Sequence, residues 1–185
     1  MNASQQGADA PNVAGRWLTV NRTLCFVTHG EEVLLMKRSA SRRIFPGRYN
    51  GLGGHIERDE DPLRCAQREI SEESGIHVPL AALHLHGISV IDAGQAAGIM
   101  LFVFTAGLET KPVRLNESAE GTLHWVSIQG ALDLPVVDDL PLLWPRLFPN
   151  NKPIPGNGLF IAPFFAHVSY DRADQLVMRF AQETY

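Results

Sequence analysis

The sequence predicts an α+β domain on three observations. Short apolar runs of strand length recur along the chain, one sharply punctuated helix interrupts them, and neither an internal repeat nor a linker-like break divides the 185 residues. With 45% hydrophobic and 19% charged residues, the chain is long and apolar enough to bury a real core. Sixteen Lys and Arg against twenty Asp and Glu give a net charge of -4, which disfavours a protein that coats nucleic acid or an anionic membrane through a broad basic surface. A small anionic ligand held together with a metal stays open. No apolar run approaches the roughly 18 residues that span a bilayer. The opening MNASQQGADAPNVAG lacks the basic and apolar blocks of a signal peptide, so we expect a cytoplasmic chain in which Cys25 and Cys65 are reduced core thiols.

Residues 1–16 are small and polar without apolar periodicity and read as a flexible tail; residues 17–185 read as one domain. Two β runs, 23–28 and 32–37, meet across a turn at His29 and Gly30. FPGRYNGLGG, rich in Gly, Pro and Asn, reads as loop or tight turn. A helix follows with Asp61 as N-cap, Pro62 as its first residue, an apolar stripe of Leu63, Ala66 and Ile70, and Gly75 as its stop. Strands are expected at 85–91, 99–105 and 122–126, and a short second helix at 140–148, where Pro141 and Pro145 blur the limits. The closing FFAHVSYDRADQLVMRF reads as two strands around a turn at 171–174.

Glu69, Glu72 and Glu73 fall in the last turn of the first helix, where carboxylates meet the negative end of the helix dipole. Glu69 and Glu73 are also a like-charge i, i+4 pair, unfavourable by about 0.2–0.5 kcal/mol, which Arg68 offsets in part by reaching Glu72. On an arbitrary helix three glutamates are a solvated face. Here the apolar stripe anchors the helix, so the glutamates project from a fixed scaffold, and a local conflict of this kind marks a functional site. Carboxylate oxygens clustered on one turn suit a hard divalent cation, Mg²⁺ or Mn²⁺, shared with substrate phosphates.

From Gly54 to Ile76 the chain reads GHIERDEDPLRCAQREISEESGI. Gly54, Glu60, Arg68, Glu69, Ile70, Glu72, Glu73, Gly75 and Ile76 fill every defined position of the Nudix box, and the chance of its seven exact positions in one window is on the order of 10⁻⁸ or less. The chain therefore resembles the Nudix hydrolases, Mg²⁺-dependent enzymes that cleave nucleoside diphosphates linked to another moiety. The resemblance implies an α/β/α sandwich around a mixed sheet. It also assigns roles. Glu69 and Glu73 would be the principal metal ligands, Glu72 a ligand or the base, and the Gly54 carbonyl a further ligand. Arg68 and Glu60 would brace the helix and orient those carboxylates. A further acid commonly comes from outside the box; Glu120, five residues before Trp125, is the candidate and Glu117 the alternative. The chemistry is attack of water on a pyrophosphate, which needs the metal to neutralise phosphate charge and to lower the pKa of bound water.

Substrate class has to be read outside the box. Val90, Ile91 and Asp92 stand where ADP-ribose hydrolases resemble one another in a proline, and the tyrosine of diadenosine polyphosphate hydrolases is absent. VLLMKR and GRYNGLGG are similar to the MutT-like 8-oxo-dGTP diphosphatase group. That resemblance places Thr23, Lys37, Asn50 and Gly53 at substrate-binding positions, with Asn50 at the base, although Leu52 replaces the usual aromatic. Asp138 and Asp139 before Trp144 resemble the acidic pair and tryptophan that recognise the base, at a different spacing. If one carboxyl of the pair is held protonated, it offers a donor beside an acceptor. Without the resemblance, Asn50 could serve its turn, the aspartates could cap the next helix, and Trp144 reads as core. His55, His124 and His167 lack a metal-ligand spacing. The expected partner is a small-molecule nucleotide, with no large nucleic acid and no membrane, for a monomer or homodimer. A Nudix pyrophosphatase of broader specificity and a non-catalytic nucleotide-binding module are the alternatives.

Overall fold

The computed structural model describes residues 15–116, 119–153 and 162–181. The chain runs β1 (Leu18–His29), β2 (Glu32–Arg38), β3 (Tyr49–Asn50), α1 (Pro62–Ser74), β4 (Leu83–Ile91), β5 (Ala97–Gly107), β6 (Gly121–Ser127), α2 (Leu140–Leu147), β7 (Phe164–Tyr170) and β8 (Leu176–Phe180). The strands form one mixed sheet, ordered β3-β2-β1-β5-β4-β7-β8, with β6 on the other edge of β2. The pairs β1/β5 and β4/β7 are parallel and the rest antiparallel.

Each helix covers one face. On one face Ala66 and Ile70 of α1 pack against Cys25, Val27, Leu34, Met36 and Leu52. On the other, Leu140, Leu143, Trp144 and Leu147 of α2 pack against Leu24, Phe26, Val33, Leu35 and Val103. Alternate residues of β1 thus serve opposite cores, which makes the domain the α/β/α sandwich that the sequence predicts. Cys25 and Cys65 are free and buried. Among the described residues no helix is long and apolar enough to cross a membrane.

Two elements differ from the sequence reading. β1 begins at Leu18, because parallel pairing with β5 runs from Leu18 opposite Ala97 to Thr28 opposite Gly107 and carries polar Asn21 and Arg22 into the strand. Within the Gly-rich passage, Tyr49 and Asn50 pair with Lys37 and Met36 as a two-residue strand. That strand has a positional consequence. β1 and β2 pair only over Val27–His29; beyond this the strands part, and residues 50–54 fill the gap.

Candidate active site

The glycine strip is held from both sides. Cys25 and Leu52 exchange backbone hydrogen bonds of 2.7 and 2.9 Å, and the Thr23 N–H donates to the Gly54 carbonyl at 2.9 Å. A Cβ on Gly53, whose φ is +138°, would overlap the Thr23 carbonyl, and one on Gly54 would overlap the Glu69 carboxylate. The strip must be glycine for β1 to approach on one side and the α1 carboxylates on the other.

Helix α1 starts and stops as its sequence dictates. Asp61 Oδ1 accepts from the N–H groups of Leu63 and Arg64 at 2.9 and 3.0 Å, Pro62 is the first helical residue, and Gly75 closes the helix with φ +76°. Arg68 is the hub of its polar face. Its guanidinium donates to both Glu60 oxygens at 2.6 and 3.0 Å, to Glu69 at 2.8 Å, to Glu72 at 3.0 Å and to the His55 carbonyl at 3.1 Å. Those bonds hold Glu60 down to about 2 and raise Arg68 further above its ordinary value. Glu73 is buried and accepts one bond, from the Gly53 N–H at 2.9 Å. Burial pushes its carboxyl up to about 8, against that bond, with Glu69 and Glu120 adding to the rise. Glu69 is raised as well, first by burial. Glu120, immediately before β6, pairs with Arg42 at 3.5 Å, and its carboxylate acts on both glutamates.

Glu69, Glu73 and Glu120 thus share one electrostatic neighbourhood, while the exposed Glu72 lies at its margin, tied to Arg68. Glu69 and Glu73, both raised by burial and by the neighbouring charge of Glu120, lie beside a glycine with no room for a Cβ, and this is a donor set suited to a hard cation. Among the described residues no three acidic, His or Cys side chains yet converge on one point, because Arg68 occupies Glu69 and Glu72. The Gly54 carbonyl keeps a second lone pair beyond the one Thr23 uses. Glu117 lies outside the described residues, as do residues 1–14 of the N-terminal segment.

The residues expected to bind the base divide. Tyr49 bonds Pro135 and Val137 through its backbone, which carries Asp138 and Asp139 to the Asn50 strip. Asp138 is exposed and ion-paired to Arg48 at 2.8 Å. Asp139 stands at the α2 N-cap position without a side-chain cap bond, and its carboxyl is raised, first by burial and then by Asp138. Asn50 turns its Oδ1 to the Gly51 N–H at 2.9 Å. Because Asn50 pairs with Met36 and Lys37 with Tyr49, the side chains of Asn50 and Lys37 leave opposite faces of the sheet and do not share a wall. Two further residues lie in the packed interior. Thr23 is buried with its hydroxyl 3.5 Å from Cys65 Sγ, under α1. Trp144 is core, edge-on to Phe26 and bonded through Nε1 to the Ile128 carbonyl at 3.3 Å. Sequence reasoning also missed Arg22 and Arg38, whose charges act within the carboxylate neighbourhood.

Fold and helix together define a class, and the chain belongs to the Nudix family: residues 18–145 match the NUDIX domain model. Its relatives differ in kind. The m7GpppN-mRNA hydrolase NUDT17 of Xenopus laevis is 32% identical over 85 residues, 45% of this chain and 29% of that protein. The NAD-capped RNA hydrolase NudC of Pseudomonas aeruginosa is 42% identical over 55 residues, 30% of this chain and 19% of that protein. The chain therefore spans less than a third of the length of these curated relatives. Among solved structures, a MutT protein from Bacillus halodurans superposes with a TM-score of 0.68 at 25% identity, covering 89% of this chain and 99% of that one. The Nudix domain of Shewanella oneidensis NrtR, solved with ADP ribose, shares the fold with a TM-score of 0.63 at 17% identity, over 79% of this chain and 96% of that one.

Proposed function

We propose that this protein is a divalent-metal-dependent pyrophosphohydrolase that cleaves a small nucleoside triphosphate to the monophosphate and pyrophosphate. The observation that carries this reading is the complete Nudix box on a capped helix, with Glu69 and Glu73 held against the glycine strip and Glu120 in the same neighbourhood. Glu69, Glu73, Glu120 and the Gly54 carbonyl would hold Mg²⁺ or Mn²⁺, with Glu72 as a further ligand or the base. When bound, the metal neutralises phosphate charge and activates water. Arg68 positions Glu69 and Glu72, and Glu60 positions Arg68. The domain is taken as residues 17–185, cytoplasmic, with a monomer or homodimer open.

The finer reading is an oxidised purine, 8-oxo-dGTP or a relative. Its support is the GRYNGLGG strip with Asp138 and Asp139 beside it. A carboxyl raised at Asp139 keeps its proton more readily and so offers a purine edge a donor next to the Asp138 acceptor. Thr23 and Trp144 lend nothing to it. The similarity to NUDT17 and NudC supports a second reading, hydrolysis of a capped RNA end. The test is initial rates with Mg²⁺ on 8-oxo-dGTP, dGTP, ATP, ADP-ribose, coenzyme A and m7G- and NAD-capped RNA, with products identified. A preference for 8-oxo-dGTP of about a hundredfold, about 2.7 kcal/mol, is expected. A flat profile or a preference for ADP-ribose removes the oxidised-purine assignment, and a preference for capped RNA replaces it. Glu73→Gln should abolish most turnover while keeping the melting temperature; an active variant overturns the metal assignment. Nucleotide binding without any product would make the chain a non-catalytic module.

A further inference from the structure

Arg22 is built into the site and has no hydrogen-bond or ion-pair partner among the described residues. Its backbone is pinned to the loop after the glycine strip on both sides: the Ile56 N–H donates to the Asn21 carbonyl at 3.0 Å, and the Thr23 N–H donates to the Gly54 carbonyl at 2.9 Å. Arg22 itself stands opposite His55 across that strip. Since Thr23 turns under α1, strand alternation sends Arg22 out on the other face, beside Leu101 of β5. It is half-buried there, within reach of the charges of Arg38, Glu69, Glu73 and Glu120.

Those carboxylates attract Arg22 only at a distance and none forms an ion pair with it. Each has another partner: Glu69 holds Arg68, Glu73 holds the Gly53 N–H and Glu120 holds Arg42. Among the described residues Arg22 makes neither a hydrogen bond nor an ion pair. A guanidinium has five N–H donors and stays charged, so keeping it half out of water without an acceptor is unfavourable. Burial and the like charge of Arg38 already lower its pKa. An acceptor arriving from outside relieves all of this at once, and a planar donor fork matches a phosphate bidentately.

We propose that Arg22 is a substrate-binding residue whose guanidinium takes phosphate oxygens of the nucleotide, from the sheet face opposite α1. The proposal rests on the hydrolase reading above and names a contact that reading lacks. Arg68 then braces the carboxylates, while Arg22 grips the anion they receive.

The test is equilibrium binding, with Mg²⁺, of a methylene-bridged non-hydrolysable dGTP analogue and of inorganic pyrophosphate to the wild-type chain and to Arg22→Met, with melting temperatures recorded. Both affinities should fall roughly ten- to a hundredfold, the analogue's salt dependence should weaken, and Arg22→Lys should recover part of the loss. If Arg22→Met does not fold, Arg22→Lys carries the comparison, because it keeps the charge and removes the fork, and an affinity equal to wild type then overturns the proposal. Unchanged affinities overturn it. So does a loss confined to the analogue, which would make Arg22 a contact of the nucleoside. Turnover of 8-oxo-dGTP, dGTP, ATP, ADP-ribose, coenzyme A and m7G- and NAD-capped RNA by the wild-type chain is measured alongside. Turnover with unchanged Arg22→Met binding sinks the Arg22 contact alone, whereas absence of any turnover sinks the hydrolase reading whatever Arg22 does.

Discussion

At the scale of single residues, neighbouring glycines with different obstacles separate folding from function. A side chain on Gly53 would meet the Thr23 carbonyl, which is backbone, at a φ that L residues rarely adopt. A side chain on Gly54 would meet the Glu69 carboxylate first, the far end of a side chain. Gly53→Ala should therefore lower unfolding stability by at least about 1 kcal/mol, read from a urea titration. Gly54→Ala should keep that stability and lower Mg²⁺-dependent turnover roughly a hundredfold, because the carboxylate is displaced by about an ångström. A Gly54→Ala variant as active as wild type would show that Glu69 is not needed where it stands. The legibility of the site follows the same division. Spacing on one helix is a property of sequence, so Arg68, Glu69, Glu72 and Glu73 were readable together. Which face a β1 residue takes was not, because Thr23 to Thr28 are all buried and show no alternation. Thr23 was placed at the substrate by resemblance and is buried under α1, and Arg22, which depends on how β1 pairs with the glycine strip, went unseen.

At the scale of the element, α1 keeps three glutamates at an end where its dipole disfavours them, so its other terminus and its apolar stripe must hold it. Asp61 satisfies the N–H groups of Leu63 and Arg64, and Ala66 and Ile70 are fully buried. Asp61→Ala should cost about 1 kcal/mol of stability while leaving kcat unchanged well below the melting temperature, since the cap lies at the opposite end of the helix from Glu72 and Glu73. A loss of kcat at full helicity, measured by circular dichroism beside the rate, would mean that the cap also sets the pitch of the glutamates. This helix was legible in full because N-cap, first-turn proline, stripe and terminal glycine all agree. Apart from β3, which lies in the Gly-rich passage, the strands were legible in existence but not in extent: β1 starts at Leu18 through its pairing with β5, a contact between distant segments that no local pattern encodes. The short α2, with Pro141 and Pro145 inside it, was placed by its apolar run, and its tryptophan turned inward because Phe26 and Phe148 offer ring contacts there.

At the scale of the molecule, β4 joins β5 to the β7/β8 pair, so the sheet cannot open there without losing its last two strands. His86 sits in β4 at an irregularity of the β5 pairing, buried, with Nε2 2.8 Å from Thr105 Oγ1. Burial, reinforced by the charge of His84, brings its pKa down to about 4 from 6.5. The folded chain therefore binds fewer protons here than the unfolded chain between those two values. The contribution of His86 to stability is fully present above pH 6.5 and is lost as the pH falls toward 4, by at most about 3 kcal/mol. Glu69, Glu73 and Asp139, whose folded values are raised, change stability in the opposite sense, Glu73 between 4.5 and about 8, so the wild-type profile alone is a sum. The difference from His86→Gln isolates the histidine, since glutamine keeps a polar group within reach of Thr105 without taking a proton. Urea midpoints at pH 7.5 and pH 4.5 should fall further for the wild type than for His86→Gln. Parallel profiles would show that His86 gains its proton without the sheet opening, and that β4 yields locally at the irregularity while the two halves stay joined.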